Sequence, residues 1–103
     1  MPEEELLDRC CEWAEERSLE LIVVFDGTAP GRVVGERKRE ERCIVVGTGR
    51  KETADDWLIR AANLYAREGR SYWLVTSDSA LRSAAGAGAE KTIGGGSFLR
   101  ELR

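Results

Sequence analysis

An apolar, β-branched run, interrupted only by Glu20, spans Leu19 to Phe25 and closes on Asp26-Gly27. Such a run is the pattern of a strand covered on both faces, and it commits the chain to layers of other structure above and below it. Cys43 to Val46, ended by Gly47-Thr48-Gly49, and Tyr72 to Thr76 repeat the pattern. Between these runs the period changes. Over Pro2 to Ser18 the residues Leu6, Leu7, Cys10, Trp13 and Ala14 recur at three- and four-residue spacing with glutamates between them, which predicts an amphipathic helix. Trp57, Leu58, Ala61, Ala62, Leu64 and Tyr65 predict a second helix over Thr53 to Glu68, stopped by Gly69. Residues 28 to 41 mix Gly, Pro and charge and read as a loop. Ser79 to Ala85 reads as a short helix, Glu90 to Ile93 as a fourth, peripheral strand, and Phe98 to Leu102 as a last helical turn. Buried strands alternating with crossover helices predict an α/β sandwich with a mostly parallel sheet of about four strands.

A chain of 103 residues is expected to form one domain, residues 1–103. No apolar run approaches the roughly 20 residues of a bilayer span, and the acidic start lacks the basic and apolar regions of a signal peptide, so the expected compartment is the cytoplasm and no membrane partner is expected. Cys10, Cys11 and Cys43 are odd in number and lack metal-ligand spacing, so reduced thiols filling core space are expected. Histidine is absent altogether. That removes the imidazole base, the Ser-His-Asp and Cys-His arrangements and the commonest zinc ligand, leaving carboxylates, metal-bound water, lysine and arginine for any catalysis.

In a parallel sheet, ligands gather beyond the carboxyl ends of the strands. Asp26 follows the first strand, Asp55 and Asp56 open the helix after the second, and Asp78 follows the third. Each has an alternative reading: Asp26-Gly27 is a turn pair, Thr53-Ala54-Asp55-Asp56 a capping box, and Ser77 or Asp78 a helix cap. Together on one edge, close carboxylates would repel by about 3 kcal/mol per pair at an effective dielectric near 20 and ~5 Å, which a cation would relieve. The charge distribution is also uneven. Residues 1–20 carry eight acids against Arg9 and Arg17, whereas residues 32–51 carry seven bases against three acids, although the net charge is only −3. Arg32, Arg37, Lys38, Arg39, Arg42, Arg50 and Lys51 suit a polyanion; Glu36, Glu40 and Glu41 allow a solvated loop instead. Trp57, Tyr72 and Trp73 are expected in the core rather than stacked on bases. Gly86-Ala87-Gly88-Ala89-Glu90-Lys91-Thr92 lacks the Gly-Lys pair of a P-loop, and Gly47-Thr48-Gly49 lacks a third glycine, so neither reads as a nucleotide site.

The runs Val23-Val24-Phe25-Asp26, Gly35 to Arg42, Glu52-Thr53-Ala54-Asp55-Asp56 and Val75-Thr76-Ser77-Asp78, with Gly88-Ala89 before Phe98 and Leu99, resemble the YacP-like branch of NYN domains, within the PIN-like nucleases, over residues 5 to 102. The resemblance implies a three-layer α/β sandwich and a ribonuclease that holds Mg²⁺ or Mn²⁺ on clustered acids. It places Asp55, Asp56 and Asp78 as metal ligands, Asp26 as a further catalytic acid, and Thr76 and Ser77 behind the ligands as groups that orient them. RNA is the implied substrate, and from the charge pattern Arg37, Lys38, Arg39, Arg42, Arg50 and Lys51 are the residues expected to meet it. Members of the family usually begin with a strand ending in Asp-Gly-Tyr-Asn that lies between the strands ending here at Asp26 and Asp78, and this chain begins at the helix after it. The expectation is therefore a domain lacking its first strand, with sheet edges that favour a homodimer or a partner chain supplying a strand. A catalytically degenerate RNA-binding or partner-binding domain, and a structural subunit completed by a second chain, are the alternatives.

Overall fold

The computed structural model describes residues 2–102. These fall into two compact units that part between Ala54 and Asp55.

The first unit contains helix α1 (Glu3–Arg17) and strands β1 (Leu21–Phe25), β2 (Gly35–Glu40) and β3 (Cys43–Gly47). Pro2 stands before the first turn of α1, where its fixed φ and missing N–H are tolerated. Glu3, Glu4 and Glu5 face the positive end of the helix dipole and Arg17 the negative end. The helix ends at Ser18, which turns left-handed at φ 56° and directs its N–H back to the last carbonyls. The sheet order is β1-β3-β2, with β3 parallel to β1 and antiparallel to β2. Leu7 and Cys11 of α1 pack onto Phe25, Ala29, Val33, Cys43 and Val45, all buried, and this cluster is the core of the unit. Gly47 lies under the 28–34 loop so tightly that a Cβ there would stand 2.9 Å from the backbone nitrogen of Ala29 and would collide with the carbonyl of Val33.

The second unit contains α2 (Ala54–Arg67), β4 (Trp73–Val75), α3 (Ser79–Ala85), β5 (Lys91–Ile93) and α4 (Gly95–Glu101), α2 being counted here although its first residue closes the first unit. Strands β4 and β5 pair in parallel, in the register Trp73↔Lys91, Leu74↔Thr92 and Val75↔Ile93. Leu74 turns to Ala62, Leu81 and Ala85, with Leu58, Ile59 and Tyr72 alongside. The Tyr72 hydroxyl donates to the carbonyl of Ala85 at 2.6 Å, which lets a half-buried phenol satisfy its polar end. Helix α2 ends as expected, with Gly69 at φ 68°.

Four expectations are corrected. The strands do not form one mostly parallel sheet: the first unit carries a mixed sheet of three strands and the second a parallel pair. Part of the 28–41 segment is not a loop but β2, whose six residues Gly-Glu-Arg-Lys-Arg-Glu form a strand by pairing with β3 and not by any apolar alternation of their own. The thiols are not all reduced. Packing of α1 on the start of β3 brings Cys11 against Cys43, with Cα atoms 5.3 Å apart, and the two form a disulfide, leaving Cys10 buried and free. Trp73 is not in the core; it is 44% exposed, and Lys91, its register partner, lies over the ring at 5.0 Å.

Candidate functional site

In the first unit, Asp26 is exposed directly after β1. Its Oδ1 accepts a hydrogen bond of 2.6 Å from the backbone N–H of Ala54, the first residue of α2. The turn around it is held by loop-to-loop bonds. Thr48 Oγ1 accepts from the N–H of Gly27 at 3.1 Å, the N–H of Thr48 donates to the carbonyl of Phe25, and that of Gly49 donates to the carbonyl of Gly27. Thr48 was not singled out by its sequence. Its signal is the Gly-Thr-Gly that ends a buried strand, where a hydroxyl can reach a neighbouring backbone donor.

The other three acids belong to the second unit. Asp55 and Asp56 lie exposed in the first turn of α2, adjacent in sequence and near the positive end of its dipole. Asp78 caps α3: its Oδ1 accepts from the N–H of Leu81 at 2.9 Å, so the capping reading holds for this residue. Thr76 and Ser77 shape the segment between β4 and α3. Thr76 Oγ1 accepts from the N–H of Asp78 at 3.1 Å, and its carbonyl accepts from Arg82 at 2.9 Å. Ser77 Oγ accepts from the N–H of Gly95 at 2.8 Å and so ties this segment to the first residue of α4. Both hydroxyls therefore orient backbone around Asp78. Arg82, which has no signal in its sequence, holds this segment through the carbonyl of Thr76.

The basic residues divide. Arg37 and Lys38 are exposed on β2 and, as neighbours along a strand, point to opposite faces. Lys38 stands 4.0 Å from Glu41. Arg39, at an irregularity in the β2–β3 register, turns to α1 and pairs with Glu4 at 2.8 Å and Asp8 at 2.6 Å. The bond to Glu4 and the fields of both acids raise its pKa further. Arg39 is thus neutralised within the fold. Arg42 is half-buried, and its backbone N–H donates to Glu15 at 2.8 Å. Arg50 and Lys51 are exposed after β3. Of the basic residues singled out for RNA, Arg37, Lys38, Arg50 and Lys51 are the exposed ones.

Among the described residues, no three His, Cys, Asp or Glu side chains are gathered as a metal site would require. Mg²⁺ nevertheless needs only one or two carboxylates, with waters and substrate phosphate oxygens completing its shell. Asp55 and Asp56 are exposed carboxylates of the kind such an ion takes, although as neighbours in a helix they do not face each other. Among the described residues, no helix is long and apolar enough to cross a membrane.

Three comparisons bear on this arrangement. The YacP-like NYN domain family matches residues 3–102. A solved structure, that of Rae1 (YacP) from Bacillus subtilis, is similar with a TM-score of 0.67 and 26% identity, covering 94% of this chain. The chain spans 55% of the length of that structure's chain. No curated protein matches it.

Proposed function

The chain belongs to the YacP-like NYN domain family, which has a PIN-like nuclease fold, and from that premise we propose that it hydrolyses RNA phosphodiester bonds with Mg²⁺ or Mn²⁺ held by Asp55 and Asp56, joined by Asp78. The observation that carries the reading is the exposed carboxylate pair in the first turn of α2, inside a chain that has no histidine to supply a base. When bound, the ion lowers the pKa of water and neutralises charge that develops on the phosphate. The protein's own residues do the rest. Asp55 and Asp56 supply hard oxygen ligands, and Asp78 keeps its second carboxylate oxygen, Oδ2, outside the capping bond. Thr76 and Ser77 fix the backbone that aims Asp78. Arg37, Lys38, Arg50 and Lys51 are the groups offered to the RNA backbone, and Asp26 supports the start of α2 through Ala54.

The test is cleavage of a labelled single-stranded RNA in Mn²⁺ by wild type and by Asp55→Asn, Asp56→Asn and Asp78→Asn. Groups that only orient a metal ligand are worth about 10–100-fold, so losing a ligand is expected to cost at least that. Unchanged turnover in all three variants defeats the assignment. A second reading, an RNA-binding domain without hydrolytic activity, is favoured by one observation: three acids are not gathered among the described residues. RNA binding that falls steeply with salt, without cleavage in either metal, selects it.

A further inference from the structure

In the second unit β4 and β5 run parallel, so the segments that leave their carboxyl ends lie side by side. The N–H of Thr76 donates to the carbonyl of Ile93 at 2.9 Å and extends the ladder by one residue. Ser77 Oγ then accepts from the N–H of Gly95 at 2.8 Å. Asp78 stands on this shared edge as the cap of α3, and the run Gly94-Gly95-Gly96 opens α4 across that bond.

Two guanidinium groups meet this edge. Arg82 follows Asp78 by one helical turn, and its Nη2 donates to the carbonyl of Thr76 at 2.9 Å. Side chains on a helix lean back towards its start, which is what brings this group to the strand end. Arg100 belongs to α4, and its Nη2 donates to Ser97 Oγ at 3.1 Å. Each arginine is therefore held by one hydrogen bond, while a guanidinium carries five donors. Both residues are exposed. Among the described residues no carboxylate pairs with either of them, in contrast to Arg39 with Glu4 and Asp8 and to Arg70 with Glu68.

The glycines point the same way. Gly95 has a steric reason to be glycine, since a Cβ there would stand 2.9 Å from Ser77 Oγ. Gly94 and Gly96 have none, and neither adopts a positive φ. Beyond the adjoining backbone, a Cβ at Gly94 would meet only Arg82, 3.9 Å from Nη2, and one at Gly96 only Arg100, 3.9 Å from Nη1. Glycine is a poor helix former, so Gly96 weakens the turn it occupies. What these two positions provide is bare backbone beside each guanidinium, where a ligand can approach closely. We propose that Arg82 and Arg100 bind phosphates of a single RNA strand laid across the Gly94–Gly96 backbone, with Asp78 on the same edge. Arginine suits phosphate because its planar fork of donors matches the phosphate oxygens and stays charged. The site rests on the RNA ligand proposed above and not on cleavage.

Fluorescence anisotropy of a labelled single-stranded RNA across a salt series, in EDTA so that nothing is cleaved, tests this. Each phosphate contact removed from a single strand lowers the slope of log K against log salt by about 0.7, so Arg100→Gln is expected to lower it by about 0.7 and Arg82→Gln/Arg100→Gln by about 1.4. Among the described residues the Arg100 side chain bonds only to Ser97, so its replacement carries the test even where loss of Arg82 loosens the Thr76 segment. Arg70→Gln, which removes a guanidinium paired with Glu68 and lying over Tyr65, should leave the slope unchanged. A slope that stays at the wild-type value in Arg100→Gln and in the double variant overturns the site, as does a wild type that binds no RNA. Cleavage in Mn²⁺ alongside such an unchanged slope leaves the hydrolase reading standing without this site. An arginine-dependent slope in a protein that cleaves nothing keeps the site and removes the hydrolase.

Discussion

Asp26 and Asp78 follow strands in different units, and each gives a carboxylate oxygen to a backbone N–H, yet their reach differs. Asp26 bonds to Ala54, 28 residues further along, whereas Asp78 bonds to Leu81, three residues further along. The first fastens a long connection and the second caps a helix. The same contrast runs through the units that hold them. The core of the first joins Leu7, Phe25, Cys43 and Val45, which are far apart in sequence, and adds the Cys11–Cys43 bond. The second rests on three-residue strands and on local bonds made by Asp78 and Thr76. Long-range fastening makes a residue's structural role hard to replace, and local capping leaves it open to exchange.

The largest expected effect tests the long-range side of that contrast. Closing a loop with a sequence separation of 32 removes chain entropy worth about 3–4 kcal/mol, so the double variant Cys11→Ser/Cys43→Ser is expected to lose about that much in denaturant unfolding. Reductant should shift wild type and leave the variant unmoved. Thiol counting by mass spectrometry is expected to find one free cysteine in the native protein, and three would break the comparison. Cys10 adds a pH dependence to the same helix. Burial pushes its thiol up from 9.0 to about 11. A group whose folded pKa is raised favours the folded state while it is protonated, so this contribution is complete below pH 9 and is lost as pH rises towards 11. Unfolding of Cys10→Ala is expected to depend less on pH across that window than unfolding of wild type.

What could be read in advance follows the same division. The apolar runs at Leu21–Phe25 and Cys43–Gly47 and the helix Ser79–Ala85 were legible because each has its own pattern and its own stop. Strand β2 was not, because Gly-Glu-Arg-Lys-Arg-Glu has no apolar face and becomes a strand only when β3 offers it a ladder. Helix α4 was foreseen only from Phe98, since its opening glycines are poor helix formers; its start at Gly95 depends on the Ser77 hydroxyl from 18 residues earlier. The Cys11–Cys43 bond required knowing which face of α1 meets β3. The acids at the strand ends were visible as a pattern, but the backbone donors that occupy one oxygen of Asp26 and one of Asp78 belong to the folded loops.

Smaller effects separate the two aspartates. Asp26→Ala is expected to cost about 1–2 kcal/mol, because it withdraws a charged acceptor from the Ala54 N–H, and Asp26→Asn less, because its amide oxygen can still accept. Arg39→Ala is expected to cost below about 1 kcal/mol: its partners Glu4 and Asp8 are 58% and 53% exposed, so solvent screens the pairs. Thermal or denaturant unfolding measures both.

Asp78 gives the smallest change in stability and the sharpest division of roles. Asn is as good an N-cap as Asp, so Asp78→Asn should leave α3 capped and the unfolding free energy within about 0.5 kcal/mol of wild type, whereas Asp78→Ala should lose about 1 kcal/mol. A metal ligand behaves in the opposite way, since Asn keeps the shape and removes the charge that binds the cation. Calorimetric titration with Mn²⁺ is therefore expected to show weaker binding in Asp78→Asn at unchanged stability. If binding is unchanged in Asp78→Asn and the only loss is the stability lost in Asp78→Ala, Asp78 is a cap and nothing more, and its likeness to Asp26 is purely structural.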